Sequence, residues 1–502
     1  MQTHTVRVWP SAEAHPREDE LAWKIAAVAA DPVAVDDDVA AMVVNRIIDN
    51  ASVALASINR SPIVSARAQA LAHPRSGGAT LFGMGPDVQI HAEWAAWTNG
   101  TAVRELDFHD TFLHQEFGHP GDNICPLIAV AQQKKCSGAD LIRGIATAYE
   151  VHVNLMKSIR LHSHKIDHVA HTGVGAAAGI GAMLGLAPEV IYQAINHTLH
   201  VCCATRQSRK GQISSWKSAA PAHSSKLAIE EVDRAMRGET APAPIYEGED
   251  SVIAWLLDGP DAEYQVPLPE AGEAKRSILE TWTKAHSAEY QGQAFIDLAL
   301  RLRGEIGDMN GVSSIVIRTN NHAHDVIGSG ANDPQKYSPD ASRETLDHSL
   351  PYIFAVALED GSWHHEASYT KERAHRAETV ALWQKITTEA DQEWERRYMS
   401  DDPAKRAYGG AVEVTLADGK VLKDEIAFAD AHPLGAKPFE FEDYVAKFRS
   451  LAEGIASSGE QDRFIDLVVG LKGLDGAALS GLNPAADATT VKATEANEDG
   501  IF

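Results

Sequence analysis

The chain has 502 residues, with 45 Lys+Arg against 70 Asp+Glu and a formal net charge of −25. At ~150 residues per domain, that length suits two to four domains and a large core. The acidic balance argues against nucleic acid or an anionic membrane as main partner, because both need a basic footprint. It also makes an anionic substrate awkward unless cations are gathered in one place.

The N-terminal MQTHTVRVWPSAEAHPRED has no apolar core of a secretory signal. The uncharged stretch 169–188 is too rich in Gly and Ala for a membrane span. Cys125, Cys136, Cys202 and Cys203 form no CxxC pair, which fits a reduced, cytoplasmic protein with no disulfide and no closed zinc site.

The first half reads as helix after helix. Over 36–57, Val39, Val43, Ile47, Ala51 and Leu55 recur along one helical face, with Asp36 as the N-cap. Similar patterns follow at 88–103, 123–135, 138–157 and 174–203, and few convincing strands are expected before about residue 270. The Pro-rich APAPIYEGED and then VPLPEAGEAKR read as a change of texture and a linker. Beyond them, 313–319 reads as a strand. Val412, Val414 and Leu416 alternate before an Asp418-Gly419 turn, a hairpin pattern. The segment 440–475 is helical again and is expected to pack back on the first region. The polar tail from about 480 is expected to be mobile. The chain therefore divides into 1–272, helical; 273–435, α+β; and 436–502, returning helices with a tail.

Four segments carry chemistry. ELDFHDTFLHQEFGHPGDN (105–123) holds Asp107, His109, Asp110, Thr111, His114 and His119, a set suited to acid–base work or to capping and turn formation. LHSHKIDHVAH (161–171) holds four His. On a helix His164 and His168 would share a face, as a metal pair lacking a third ligand, as the wall of a polar site, or as a solvated face. The glycines of 173–181 mimic a dinucleotide loop but lack a preceding strand, so close helix packing is the better reading. In 205–226, Arg206, Arg209, Lys210, Lys217, His223 and Lys226 stand without a carboxylate, a grip for carboxylates or a solvated basic loop. Finally, KAHSAEYQGQ offers His286, Glu289 and Tyr290 where the second region begins, and Trp363 to Glu366 reads as surface.

The run DFHDTFLHQEFGHPGDN, then KIDHVAH, RQSRKGQISSWKSAAPAHSSKLA, PIYEGED, KAHSAEYQ and RETLDHSLPYIFAVALEDG, resembles the MmgE/PrpD family in family order over nearly the whole chain. The resemblance implies a mainly α protein, a large all-helical domain with a smaller α+β lid and the site between them. The implied activity is that of the dehydratase branch: loss of water from 2-methylcitrate to give 2-methyl-cis-aconitate in propionate catabolism, with citrate as a side substrate. A cis-aconitate decarboxylase-like lyase is the alternative. A homodimer acting on a small tricarboxylate is implied too.

Residue by residue, Asp107, Asp110, Thr111 and His119 match the family's Asp-x-x-Asp-Thr and His-Pro motif. His168, after Asp167, matches its second His, with His171 as fallback. Lys217 is near the family's site Lys, and Lys210 is the other choice. A fourth family His is missing, with Gln291, Glu289 and His286 nearby, which favours the dehydratase. His119 and His168 are the expected acid–base pair, with Asp107 or Asp110 orienting an imidazole or holding the substrate hydroxyl. Thr111, Arg206, Arg209, Lys210, Lys217 and Glu289 are the expected substrate contacts. The cysteine spacing is poor for an iron–sulfur cluster, so no cofactor and no metal are expected.

Overall fold

A computed structural model describes residues 1–114, 116–210, 213–400, 402–492 and 501. The first half builds helices Leu21–Ala30, Asp37–Ser57, Ser61–Leu71, Ala92–Glu105, Ile124–Lys134, Gly138–Ser158, Val169–Leu184, Pro188–Cys202 and Trp216–Met236. Local chemistry sets several of their ends. Ser137 and Asp140 form a reciprocal capping box that starts Gly138–Ser158. The single pattern over 174–203 is two helices, because Gly185 turns left-handed (φ +63°) and Pro188 starts a new helix.

Gly144 and Gly179 let Gly138–Ser158 and Val169–Leu184 approach closely. A Cβ on Gly179 would meet the Gly144 carbonyl oxygen at 2.8 Å. The glycines of 173–181 therefore serve packing. Helix Asp37–Ser57 is long and apolar enough to cross a membrane by length and composition, but most of it is buried in the protein core.

Two expectations, the linker and the tail, need correction. Among the few strands before residue 270, Gln2–Arg7 pairs antiparallel with Glu263–Leu268, His4 opposite Val266. The ribbon is half exposed and its partners are far apart in sequence, so neither strand shows a clean alternation. The first residues of the expected linker, Val266 to Leu268, belong to that strand. The tail is fastened well past 480. Gly83 N donates to the Pro484 carbonyl at 2.9 Å, Asn59 Nδ2 to the Thr490 carbonyl at 2.9 Å, and Lys492 N to Asn59 Oδ1 at 2.8 Å. The expected mobility of 493–500 falls outside the described residues.

The second region carries a four-stranded mixed sheet. Val312–Thr319 runs parallel to Ile386–Ala390 on one side and antiparallel to Gly410–Leu416 on the other, which forms the expected hairpin with Val421–Ile426. Helices Tyr290–Ile306 and Leu350–Asp360 share a core with it through Phe295, Ile317, Phe354 and Val414. The C-terminal helices Phe441–Ala452 and Ser458–Val469 return, burying Phe448 and Phe464 in the core that holds Val43 and Ile47. The chain is thus mainly α.

Candidate active site

Asp107 sits at the centre of a buried charged cluster. It follows helix Ala92–Glu105 with a left-handed backbone (φ +50°), uncommon for a residue with a side chain. Arg104 Nη1 approaches its Oδ1 at 2.7 Å, and the Lys284 ammonium binds the same oxygen and donates to the Asp107 carbonyl at 2.9 Å. Lys217 Nζ is 3.4 Å from Oδ2, and His348 Nε2 is 3.7 Å from it. Burial alone would raise this carboxyl, but Arg104, Lys284 and Lys217 outweigh it and hold it well below the usual carboxylate range.

His119 faces Asp107, its Nε2 3.9 Å from Oδ1. Its Nδ1 lies 2.9 Å from the Asp110 carbonyl, which can only accept, so the proton sits on Nδ1 and Nε2 keeps its lone pair. Burial, then the charges of Arg104 and Lys284, push this imidazole well below the ordinary histidine value, against the pull of Asp107. His119 is therefore a neutral base at neutral pH.

Asp110 and Thr111 hold the same loop in shape. Asp110 Oδ1 accepts from Gly121 N at 2.9 Å, and Oδ2 lies 3.5 Å from Arg46 Nε. A Cβ at Gly121 would come within 2.2 Å of that Oδ1, so a larger residue would displace the Asp110 carboxylate. Thr111 Oγ1 donates to the Gly118 carbonyl at 3.1 Å. Thr111 is thus committed within the loop, and Asp110 ties it to Arg46 of helix Asp37–Ser57.

His168 stands with its ring 5.8 Å from that of His119 and its Nδ1 3.2 Å from Asp167 Oδ1. It too is pushed well below the ordinary value, chiefly by burial and by Arg209 against Asp167. Asp167 is in turn paired with Arg209 Nε at 3.1 Å, and Arg209 Nη1 donates to the Lys217 carbonyl at 2.9 Å. The metal reading of His164 and His168 does not survive. Lys165 turns left-handed (φ +63°) and the helix starts only at Val169, so the two do not share a helical face. His164 instead meets Asp258 at 3.3 Å near the surface. His171 turns away to the Ile159 carbonyl at 3.0 Å.

Lys217, in the first turn of Trp216–Met236, donates to Asp347 Oδ1 at 2.8 Å and lies 3.1 Å from His348 Nδ1. Lys210 is exposed, just before positions 211–212, which lie outside the described residues. Arg206 is half-buried over the Phe117 ring, and its buried Nε has no hydrogen-bond partner among the described residues. Glu289 caps Tyr290–Ile306 by accepting from Gln291 N at 2.7 Å, and burial pushes its carboxyl up to about 7. His286 pairs with Asp297 at 3.0 Å, and Gln291 Oε1 accepts from Asn320 Nδ2 at 2.9 Å.

Sequence reasoning missed Arg104, Lys284, Asp347, His348 and Lys336. Lys284 stood inside a segment already singled out, and Asp347-His348 inside a run used only for resemblance. Lys336 is buried and its amine is pushed down to about 8 by burial, with Asp347 opposing and Lys217 adding. Asp107, Asp347 and His348 bring ligand atoms within 4.8 Å of one another, a set that could hold a metal ion. The Lys217 ammonium lies within bonding reach of all three and supplies the positive charge there. Burial pushes the Cys202 and Cys203 thiols up to about 12 and about 11, away from the thiolate form that ligates metal.

Surface clefts of about 550 and 580 Å³ exist, but neither is lined by a residue of this cluster. Most of the cluster is buried, with His168 and Lys217 only 3% and 4% exposed, while the His348 side chain is 19% exposed and marks its most open side. Its groups come from both regions: Asp107, His119, His168 and Lys217 from one, Lys284, Asp347 and His348 from the other.

Residues 19–265 match the MmgE/PrpD N-terminal domain, and residues 286–472 match the MmgE/PrpD C-terminal domain. The chain belongs to the MmgE/PrpD family. Curated relatives of this family member include the mitochondrial 2-methylcitrate dehydratase of Yarrowia lipolytica (strain CLIB 122 / E 150), 27% identical over 358 residues, 68% of this chain and 66% of that one. The 2-methylcitrate dehydratase of Cupriavidus necator is 28% identical over 369 residues, 70% of this chain and 73% of that one. That of Escherichia coli (strain K12) is 24% identical over 371 residues, 70% of this chain and 72% of that one. The chain thus spans roughly two thirds of the length of the Yarrowia relative and somewhat more of the others.

Proposed function

We propose that the chain is a 2-methylcitrate dehydratase, a hydro-lyase that removes water from 2-methylcitrate to give 2-methyl-cis-aconitate in propionate catabolism. One observation carries the reading: a neutral imidazole with a free Nε2, His119, is fixed beside an anionic Asp107 in a buried cluster of cations. The several family relatives that bear the same name support it.

The elimination breaks a C–H and a C–O bond and forms a C=C bond. His119 Nε2 takes the C–H proton, and Asp107 stabilises the resulting imidazolium. Lys217, Lys284 and Arg104 offset charge developing on the neighbouring carboxylate. The leaving hydroxyl takes a proton and departs as water. The Lys217 ammonium is the donor on hand, and His168, neutral and backed by Asp167, holds the hydroxyl by a hydrogen bond. Arg206 and Arg209 bring further positive charge for the remaining carboxylates.

We further propose that 273–435 acts as a lid over 1–272, with 436–502 returning to the larger domain. Burial of a cluster built from both regions supports this, because substrate needs an opening between them. A homodimer is proposed as well, to be tested by light scattering. Incubation with citrate, 2-methylcitrate and cis-aconitate, with ultraviolet alkene absorbance and carbon dioxide read in parallel, tests the activity. Alkene from 2-methylcitrate is expected. No alkene from 2-methylcitrate sinks the reading, and carbon dioxide from cis-aconitate would move the chain to the decarboxylase alternative.

A further inference from the structure

Lys447 lies on helix Phe441–Ala452, in the C-terminal return. Its ammonium donates to Asp49 Oδ1 at 2.7 Å, to the Phe108 carbonyl at 2.7 Å and to the Lys284 carbonyl at 2.9 Å. It also lies 3.9 Å from the centroid of the Phe108 ring. An ammonium has three donors, and here all three are used. Asp49 alone would satisfy the charge. The other two acceptors are the carbonyl of the residue after Asp107 and the carbonyl of the lysine that binds the Asp107 carboxylate.

From this we propose that Lys447 is a positioning residue for the Asp107–Lys284 pair, fixing the backbone on both sides of it from outside the site. Asp107 has a left-handed backbone, a setting that persists in a residue with a side chain only when its surroundings over-determine it. Three holds do so: Arg104 on the carboxylate, Lys284 on the Asp107 carbonyl, and Lys447 on the next carbonyl. Without Lys447 the loop relaxes, and the carboxylate leaves the position that serves His119 Nε2, Lys217 and His348. Lys284 loses its alignment at the same time, since its own carbonyl is the third tether. Lys447 touches no reacting atom, and its effect passes through Asp107.

The kinetic half of this inference rests on the dehydratase reading, so the test has two arms in the full-length protein. In the first, Lys447→Met is expected to lower kcat on 2-methylcitrate by roughly 10- to 100-fold, with KM within about threefold. In an Asp107→Asn background the same change is expected to cost under about twofold, because the group it positions is already disabled. Lys447→Arg, which keeps the charge and several donors, is expected to recover most of the loss. In the second arm, acetic anhydride labels amines without any substrate, and peptide mass spectrometry reads Lys284. Its labelling is expected to rise about tenfold in Lys447→Met, with exposed Lys423 unchanged, as expected for opening confined to one region. If Lys447→Met fails to fold, Asp49→Asn removes the anchor and is expected to move both readouts the same way. Losses that multiply fully in the double variant, or Lys284 labelling that stays at the wild-type rate, overturn the inference. Should the wild type not turn over 2-methylcitrate, the dehydratase reading falls and the labelling arm still decides on Lys447.

Discussion

His119 Nε2 stands 3.9 Å from Asp107 Oδ1, while His119 Nδ1 donates to the Asp110 carbonyl at 2.9 Å. The carbonyl fixes the tautomer, and the carboxylate waits for the proton that Nε2 takes up. Replacing His119 by Ala is expected to cut kcat by roughly 10²–10⁴-fold, the scale of a lost general base. The circular dichroism spectrum and melting midpoint should stay near wild type. Turnover left intact would remove His119 from the proton transfer.

The pH profile follows from the same burial. His119 must be neutral to act as a base, and its folded value lies well below the ordinary 6.5. Activity is therefore kept as pH falls through 6.5 and lost only on passing the depressed value. The acid limb of kcat/KM is expected well under pH 6.5, and Asp107→Asn is expected to move it lower still, since Asp107 favours the imidazolium. A limb at or above 6.5 would contradict the assignment.

Lys217 joins the two regions, reaching from helix Trp216–Met236 to Asp347 Oδ1 at 2.8 Å. Lys217→Met leaves Asp347 and Asp107 without that ammonium in a buried setting, where an uncompensated charge is costly. Expected are a fall in kcat/KM of about 10²-fold or more and weaker substrate binding by calorimetry. Lys210→Met, at an exposed position, is expected to change either value by less than about threefold. Equal effects of the two variants would mean that Lys217 has no special place.

Much of this was legible in the sequence where it was local. The face of Val39, Val43 and Ile47 and the Asp418-Gly419 turn are written in neighbouring residues. His119 and Asp107 stood out because they share one short loop. The rest depended on contacts across the chain. The Gln2–Arg7 strand has its partner at 263–268, and Asp347, His348 and Lys284 reach Asp107 only after folding. Spacing also misled at His164 and His168, since an i, i+4 pair shares a face only if a helix runs through both, and the left-handed Lys165 prevents that.

Close packing at Gly179 sets two effects against each other. An Ala there gains about 0.5–1 kcal/mol of helix propensity. Its Cβ, however, would meet Ala148 Cβ at 2.7 Å and the Gly144 carbonyl oxygen at 2.8 Å, with backbone on one side that cannot yield. Overpacking of this kind costs about 1–3 kcal/mol, so the clash is expected to win. Gly179→Ala should lower the urea midpoint, and Gly185→Ala should do so through its left-handed backbone rather than through a clash, since nothing lies near its Cβ.

Glu289 gives the opposite sign of pH dependence from the histidines. Its carboxyl is pushed from 4.5 to about 7, chiefly by burial, with Lys284 opposing and Asp107 adding to the rise. A carboxyl that binds its proton more tightly when folded favours the folded state fully below 4.5, and that contribution is lost as pH rises through 7. Glu289→Gln keeps an oxygen to accept from Gln291 N and never ionises. Its stability relative to wild type, read from urea midpoints, is therefore expected to match near pH 4, to improve between pH 4.5 and 7, and to level off above pH 7. The gain is bounded at about 3 kcal/mol by the size of the shift and reduced by the lost attraction to Lys284. A difference that does not change with pH would show that Glu289 is ionised throughout, paired with Lys284.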